Sequence, residues 1–263
     1  MVVALQFLVP VLYLAAMGAY ARVFMAEREE SVRGAAVTLL VVAIGAHTGL
    51  LFAIARQYER CPVSTIGEGI FFCAWLVAII HLISETISGT RSLGVFTLLP
   101  TTIGAFMGAF MLEDGVLTAQ YRDAFFVFHI IGAVAAYICF GFAAIMGCMY
   151  LALHRRLKQK TFDYAFKKLP PLDKLDGLCA AWTVIGSVAM ILTYAAMWKW
   201  DQGREESALS LMQITALYLS LFVFIVAGVA RRVAGFTGPR FVKTVLIGFA
   251  VFLLCVMGVH GGR

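Results

Sequence analysis

Charge is what this sequence has least of. Only 14% of its residues are Asp, Glu, Lys or Arg, against roughly 25% in an ordinary water-soluble domain. So little polar surface excludes a chain that faces water on all sides. Cysteines are sparse and show no pairing pattern. Cys61, Cys73, Cys139, Cys148, Cys179 and Cys255 contain no CxxC spacing, and four of them lie inside apolar runs. Their spacing supports no disulfide framework. The four in apolar runs, Cys73, Cys139, Cys148 and Cys255, read as small core residues, while Cys61 falls in an outward loop and Cys179 near the inner face. No internal repeat or low-complexity segment is visible. A basic region before the first apolar run is also missing, as is a small-residue cleavage site after it. The run over 2–23 is therefore expected to be a first membrane span and not a signal peptide.

Apolar residues are what the sequence has instead, at 62%, with a mean hydropathy of +0.90. A helix needs about 20 apolar residues to cross the hydrocarbon core. Eight runs qualify, over 2–23, 34–55, 67–87, 93–112, 124–153, 179–198, 207–230 and 241–260. The fold class expected is all-α: a polytopic membrane helix bundle of about eight spans, forming one membrane domain over 1–263. The fifth run is long enough to project beyond the bilayer.

The basic residues orient the bundle. With the N-terminus outside, fifteen of the 21 Lys and Arg residues fall in inward loops. Seven of those lie between Arg155 and Lys174. The excess of positive charge inside predicts that both termini lie outside. The net charge of +6 is then a topology signal, and no nucleic-acid partner is expected.

This orientation sorts the five histidines. His129, early in the fifth span, and His260, at the end of the eighth, fall near the outer surface. His47 lies in the outer half of the second span, His81 in the inner half of the third, and His154 at the inner surface among arginines. After the sixth span the sequence reads TyrAlaAlaMetTrpLysTrpAspGlnGlyArgGluGlu over 194–206, expected as an outward loop. Tryptophans at a span end commonly form nothing more than an interfacial belt. Two outward histidines bracketing an aromatic loop suggest more. Imidazoles supply axial ligands to haem iron. Tyr194, Trp198 and Trp200 offer faces for the macrocycle. Arg56, Arg60, Arg122, Lys199 and Arg204 stand on the correct side to meet the propionates.

At Trp198, Trp200 and Asp201 the sequence resembles the tryptophan-rich (WWD) haem-handling family of cytochrome c assembly, which includes the CcsA, CcmC and HemX proteins. Tyr194 stands where the family has its first Trp, and Ala195 where it has Gly. Pro62, Glu68 and Trp75 match a second family segment, and PheHisIleIleGly from 128 resembles its His-led span. LeuProProLeuAspLysLeu over 169–175 is a further similarity. The resemblance spans roughly 56–260. Family exporters carry a further His in the span after the motif, where this chain has Ser220. His260 here falls at the position of a family Asn.

The resemblance implies a haem-binding protein of the bacterial inner membrane that acts in cytochrome c maturation. His129 and His260 would be the iron ligands, and Tyr194, Trp198, Trp200 and Asp201 would line an outward haem site. The haem would be b-type, held non-covalently. Partners would be membrane lipid, an apocytochrome c and a CcsB-like protein. Covalent attachment would draw on the thiols of the apocytochrome, and nothing here marks a nucleophile or base for that step. An accessory part of a haem-ligation system, not an enzyme on its own, is therefore expected. The alternative is a HemX-like membrane partner of glutamyl-tRNA reductase, docked on the inward basic loop. A third reading, a transporter or structural bundle, rests only on His47, His81 and Glu85, and such a His is more often a satisfied bundle residue.

Overall fold

The computed structural model describes residues 2–25, 30–59, 61–89, 93–112, 123–160, 169–202 and 211–261, without the side chains of 2, 30–33, 88, 211–217, 220 and 255–261. Eight helices account for almost all of the described residues: α1 (Val2–Met25), α2 (Glu30–Tyr58), α3 (Ile66–Ser88), α4 (Leu93–Phe110), α5 (Ala124–Lys158), α6 (Leu172–Asp201), α7 (Leu211–Val233) and α8 (Pro239–Gly261). Among the described residues six helices, α1 to α6, are long and apolar enough to cross a membrane. The other two have 23 residues each, a reach of about 34 Å at 1.5 Å per residue. The all-α, polytopic membrane architecture expected from the apolar runs is what forms.

Hydrogen bonding explains why helices fill the chain. Within lipid no water satisfies backbone N–H and C=O groups, so each segment must pair its own. The outer surfaces carry large apolar side chains such as Phe110, Phe222 and Leu254, exposed by 73%, 63% and 71%. In water such surfaces would drive association, whereas in a bilayer they are the solvated face.

The helices fall into two compact units, Met1–Val127 and Phe128–Arg263. In the first, α1 buries Val9, Tyr13, Ala16, Tyr20 and Val23, one stripe at steps of three and four. Such a stripe is the mark of a helix with a single protein-facing side. Polar groups inside this unit are matched to one another. Tyr13 Oη lies 3.1 Å from His47 Nδ1. Tyr20 Oη donates to Glu85 at 2.5 Å, and Thr97 Oγ1 lies 2.9 Å from His81 Nδ1. Gly94 faces the Tyr20 ring so closely that a Cβ would overlap it. Both intramembrane histidines are thus bonded bundle residues.

The start of α3 is fixed by a capping box. Thr65 Oγ1 accepts from Glu68 N at 3.2 Å, while the Glu68 carboxylate accepts from Ser64 N at 2.8 Å and Thr65 N at 3.3 Å. This satisfies N–H groups that a helix start otherwise leaves unpaired. At the other end Gly89 adopts φ 64° and closes the helix with a bond from its N–H to Glu85 O, a left-handed conformation that glycine takes without steric cost.

In the second unit Phe140 of α5 stacks on Phe224 of α7 at 3.9 Å, with Phe252 of α8 at 5.8 Å from Phe140. Gly186 gives Phe140 its space on α6. Asp176 ties three helices together: it accepts from Arg231 at 2.6 Å and from Gly238 N at 3.1 Å.

Candidate functional site

Two helices of the second unit carry the described site residues. Asp123 precedes α5, and its carboxylate accepts from Phe125 N at 2.8 Å and Phe126 N at 3.2 Å. This side-chain cap starts the helix and sets His129 within its second turn. His129 is half-buried, and its Nδ1 lies 3.3 Å from the carbonyl oxygen of Thr193 on α6. A carbonyl oxygen only accepts, so a hydrogen bond here calls for the proton on Nδ1, which in a neutral ring leaves the lone pair on Nε2.

Residues 194–201, read from sequence as a loop, are the last turns of α6. The reason is local: 194–201 contains neither Gly nor Pro, and Ala195, Ala196 and Met197 are strong helix formers. The helical path divides the motif between two faces. Thr193, Ala196 and Trp200 share the buried face. Tyr194, Trp198 and Asp201, at steps of four and three, form a second stripe. On that stripe Tyr194 is half-buried, with its ring 5.0 Å from Tyr218 of α7. Trp198 is 66% exposed, whereas Trp200 is only 8% exposed. Trp200 therefore acts mainly as packing, and Trp198 is the tryptophan with a face to offer.

The structure thus brings His129 beside the helix that carries Tyr194, Trp198, Trp200 and Asp201. His260 falls on the last turn of α8, and its side chain lies outside the described residues, as does that of Ser220. Arg60, Arg122 and Arg204 lie outside them entirely, and so do Lys167 and Lys168. Among the described residues no group of three or more His, Cys, Asp or Glu side chains converges on one point. Haem makes no such demand, since the porphyrin supplies four nitrogens and the protein only axial ligands. A half-buried imidazole with its Nε2 available suits that role.

Two residues of this region escape the sequence reading. One is Thr193, adjacent to the motif but 64 positions from His129. The other is Gly132, whose absent side chain leaves room for Thr193. The available signal was a small residue one turn after a histidine, on the same helical face.

The Pro62, Glu68 and Trp75 segment has its own geometry. Glu68 is the capping-box carboxylate, and Trp75 Nε1 donates to Thr48 Oγ1 of α2 at 2.9 Å. Cys61, in the connection before α3, has its thiol pKa raised by burial and, to a lesser degree, by the Glu68 carboxylate.

Comparison with known proteins gives the family. Protein HemX of Brevibacillus brevis is 26% identical over 160 residues, covering 59% of this chain and 58% of that protein. The cytochrome c biogenesis protein CcsA of Gloeobacter violaceus is 31% identical over 102 residues, 36% of this chain and 30% of that protein. CcsA of Synechococcus elongatus is 22% identical over 259 residues, covering 76% of each. The chain thus spans less than two thirds of the first two relatives. No solved structure matches. The profile of the cytochrome c assembly protein family matches residues 34–261, which takes in the His129 helix and the tryptophan-bearing helix, and the chain belongs to that family.

Proposed function

We propose that this protein holds haem at the outer face of the bacterial inner membrane, for delivery to an apocytochrome c with a CcsB-like partner. Its role is that of an accessory component and not an enzyme, as its family membership implies. The observation that carries the reading is the pairing of His129 with Thr193, one residue before the Tyr194–Asp201 motif. His129 would ligate the iron through Nε2, and His260 would be the second ligand. Trp198, with its exposed ring, would cover the macrocycle, and Asp201 and Tyr194 would border it. When bound, haem would supply the iron centre and its redox chemistry, while this chain supplies ligation, orientation and cover from water.

The test is an absorption spectrum of the purified protein, oxidised and reduced, beside His129→Ala and His260→Ala variants. A Soret band with sharp reduced bands, lost in the variants, is the expected result. A protein that takes up no haem even when haem is added would sink the reading.

The match to HemX supports a second reading, in which the protein is a membrane partner of glutamyl-tRNA reductase. Arg155, Lys158, Lys160 and Lys174 are exposed at adjoining ends of α5 and α6, a basic surface suited to an acidic soluble partner. Co-purification of the reductase, lost on charge reversal at Lys167 and Lys168, would support this reading, and failure of the reductase to bind would end it.

A further inference from the structure

The carbonyl that meets His129 belongs to a residue in mid-helix, and a helix backbone is normally shielded from a neighbour by side chains. Here the shield is missing on one side. Gly132 lies three residues after His129, on the same face of α5, and the space its Cβ would fill is taken by Thr193 Oγ1. Thr193 is completely buried, and its hydroxyl has no hydrogen-bond partner. A buried hydroxyl left in that state is unfavourable, a cost the α5–α6 approach has to overcome. That approach brings the Thr193 carbonyl to 3.3 Å from Nδ1 of His129.

We propose that Gly132 and Thr193 are positioning residues that lock His129 into the Nδ1–H tautomer and present Nε2 as its metal-binding atom. The proposal rests on the haem-holding reading for its purpose, and on the α5–α6 geometry for its substance. A histidine that ligates metal is commonly oriented by a carbonyl or carboxylate on its other nitrogen, and losing that partner weakens binding roughly 10- to 100-fold. The acceptor here is a backbone atom, so the sequence specifies it only through what allows the backbone to come near. Gly132 does so by having no side chain. The Thr193 side chain is dispensable, and its main chain is not.

Substitutions separate these parts. Gly132→Ala places a methyl group against Thr193 Oγ1, moves the helices apart and breaks the bond to His129. Thr193→Ala alone keeps the carbonyl and leaves the bond intact. In the Gly132→Ala, Thr193→Ala double variant the nearest remaining side-chain atom is the 193 Cβ, at 3.6 Å from the new methyl, an ordinary contact. The bond is restored.

The first measurement uses full-length, haem-free protein labelled with nitrogen-15 in histidine, at about pH 9 where imidazole is neutral. The His129 signals are identified by their loss in His129→Ala. The expected result is a proton on Nδ1 in the wild type and in Thr193→Ala, loss of that preference in Gly132→Ala, and its return in the double variant. Haemin titration of the same four proteins should follow the same order, with affinity roughly 10- to 100-fold lower in Gly132→Ala only. A proton on Nε2 in the wild type, or a double variant as impaired as Gly132→Ala, would overturn the positioning role. The expected tautomers in a protein that binds no haem would overturn the haem reading alone and leave the positioning in place.

Discussion

Asp176 on α6 receives the guanidinium of Arg231 on α7 at 2.6 Å, and its second oxygen receives the Gly238 N–H ahead of α8 at 3.1 Å. The guanidinium also lies over the Phe241 ring of α8, 4.7 Å from its centroid. One carboxylate therefore closes the same end of three helices. Hydrogen bonds to charged groups contribute about 1.5–3 kcal/mol each, and both partners here are mostly shielded, at 22% and 13% exposure. Asp176→Ala should lower the melting temperature in detergent by several degrees. Arg231→Lys should recover only part of wild-type stability, because an ammonium cannot reproduce the planar contact with Phe241. Thermal unfolding of the two variants checks both statements.

A second relationship is buried in the first unit. Tyr20 donates to Glu85, and His81 Nε2 lies 3.5 Å from the same carboxylate oxygen. All three side chains are at most 2% exposed. Tyr20→Phe removes a donor from a buried acid and should cost about 1–3 kcal/mol. Glu85→Gln, whose amide oxygen still accepts from Tyr20, should cost less than Glu85→Ala. Gly94→Leu should be worse than any of these, because its side chain would enter the space of the Tyr20 ring. Folded yield and melting temperature in one detergent would order the series.

These two clusters show what was legible in the sequence. The spans were, because an apolar run is a local property and lipid allows it only one conformation. For His47 and His81 the bundle reading is met at one nitrogen each, where Tyr13 and Thr97 reach Nδ1, while Nε2 of both rings is buried without a hydrogen-bond partner. The helical end of α6 was not legible, since Trp and Tyr near polar residues suit a loop or a helix equally, and Ala195–Met197 tips the balance. The Thr193 carbonyl was invisible for a deeper reason. A backbone acceptor has no residue signature, and only Gly132 hints that a neighbour comes close.

Glu68 shows the converse, a residue that resembles a functional motif and has a structural task. It completes the α3 capping box and faces Cys61. Glu68→Gln preserves the box, since Gln serves at that position, while Glu68→Ala should cost roughly 1 kcal/mol. The charge makes a separate prediction. Burial and then the Glu68 carboxylate disfavour the Cys61 thiolate and raise its pKa. Thiolate is the reactive form, so alkylation should be slow at neutral pH and should rise only above the free-thiol range, near pH 8.5. Removing the negative charge in Glu68→Gln stabilises the thiolate and should move that profile to lower pH. The move should be partial, because burial is the larger cause. Site-resolved mass spectrometry of iodoacetamide labelling against pH would show it, and an unmoved profile would mean the carboxylate does not reach the thiol.

Trp198 and Trp200 are two residues apart and face opposite environments, one 66% and the other 8% exposed. Trp200→Ala empties a packed position and should cost about 3–5 kcal/mol, whatever the protein binds. Trp198→Ala removes little packing and should leave the melting temperature close to wild type. If the exposed indole covers haem, as proposed, Trp198→Ala should weaken haemin binding and broaden the Soret band in a protein that is otherwise intact. Trp198→Phe, which keeps an aromatic face, should recover part of the loss. An interfacial belt predicts a different pattern: haem binding would be indifferent to Trp198, and any effect of Trp200→Ala would track folded yield alone. Measuring stability and haemin affinity on the same four preparations separates a tryptophan that holds the helices from one that holds a ligand.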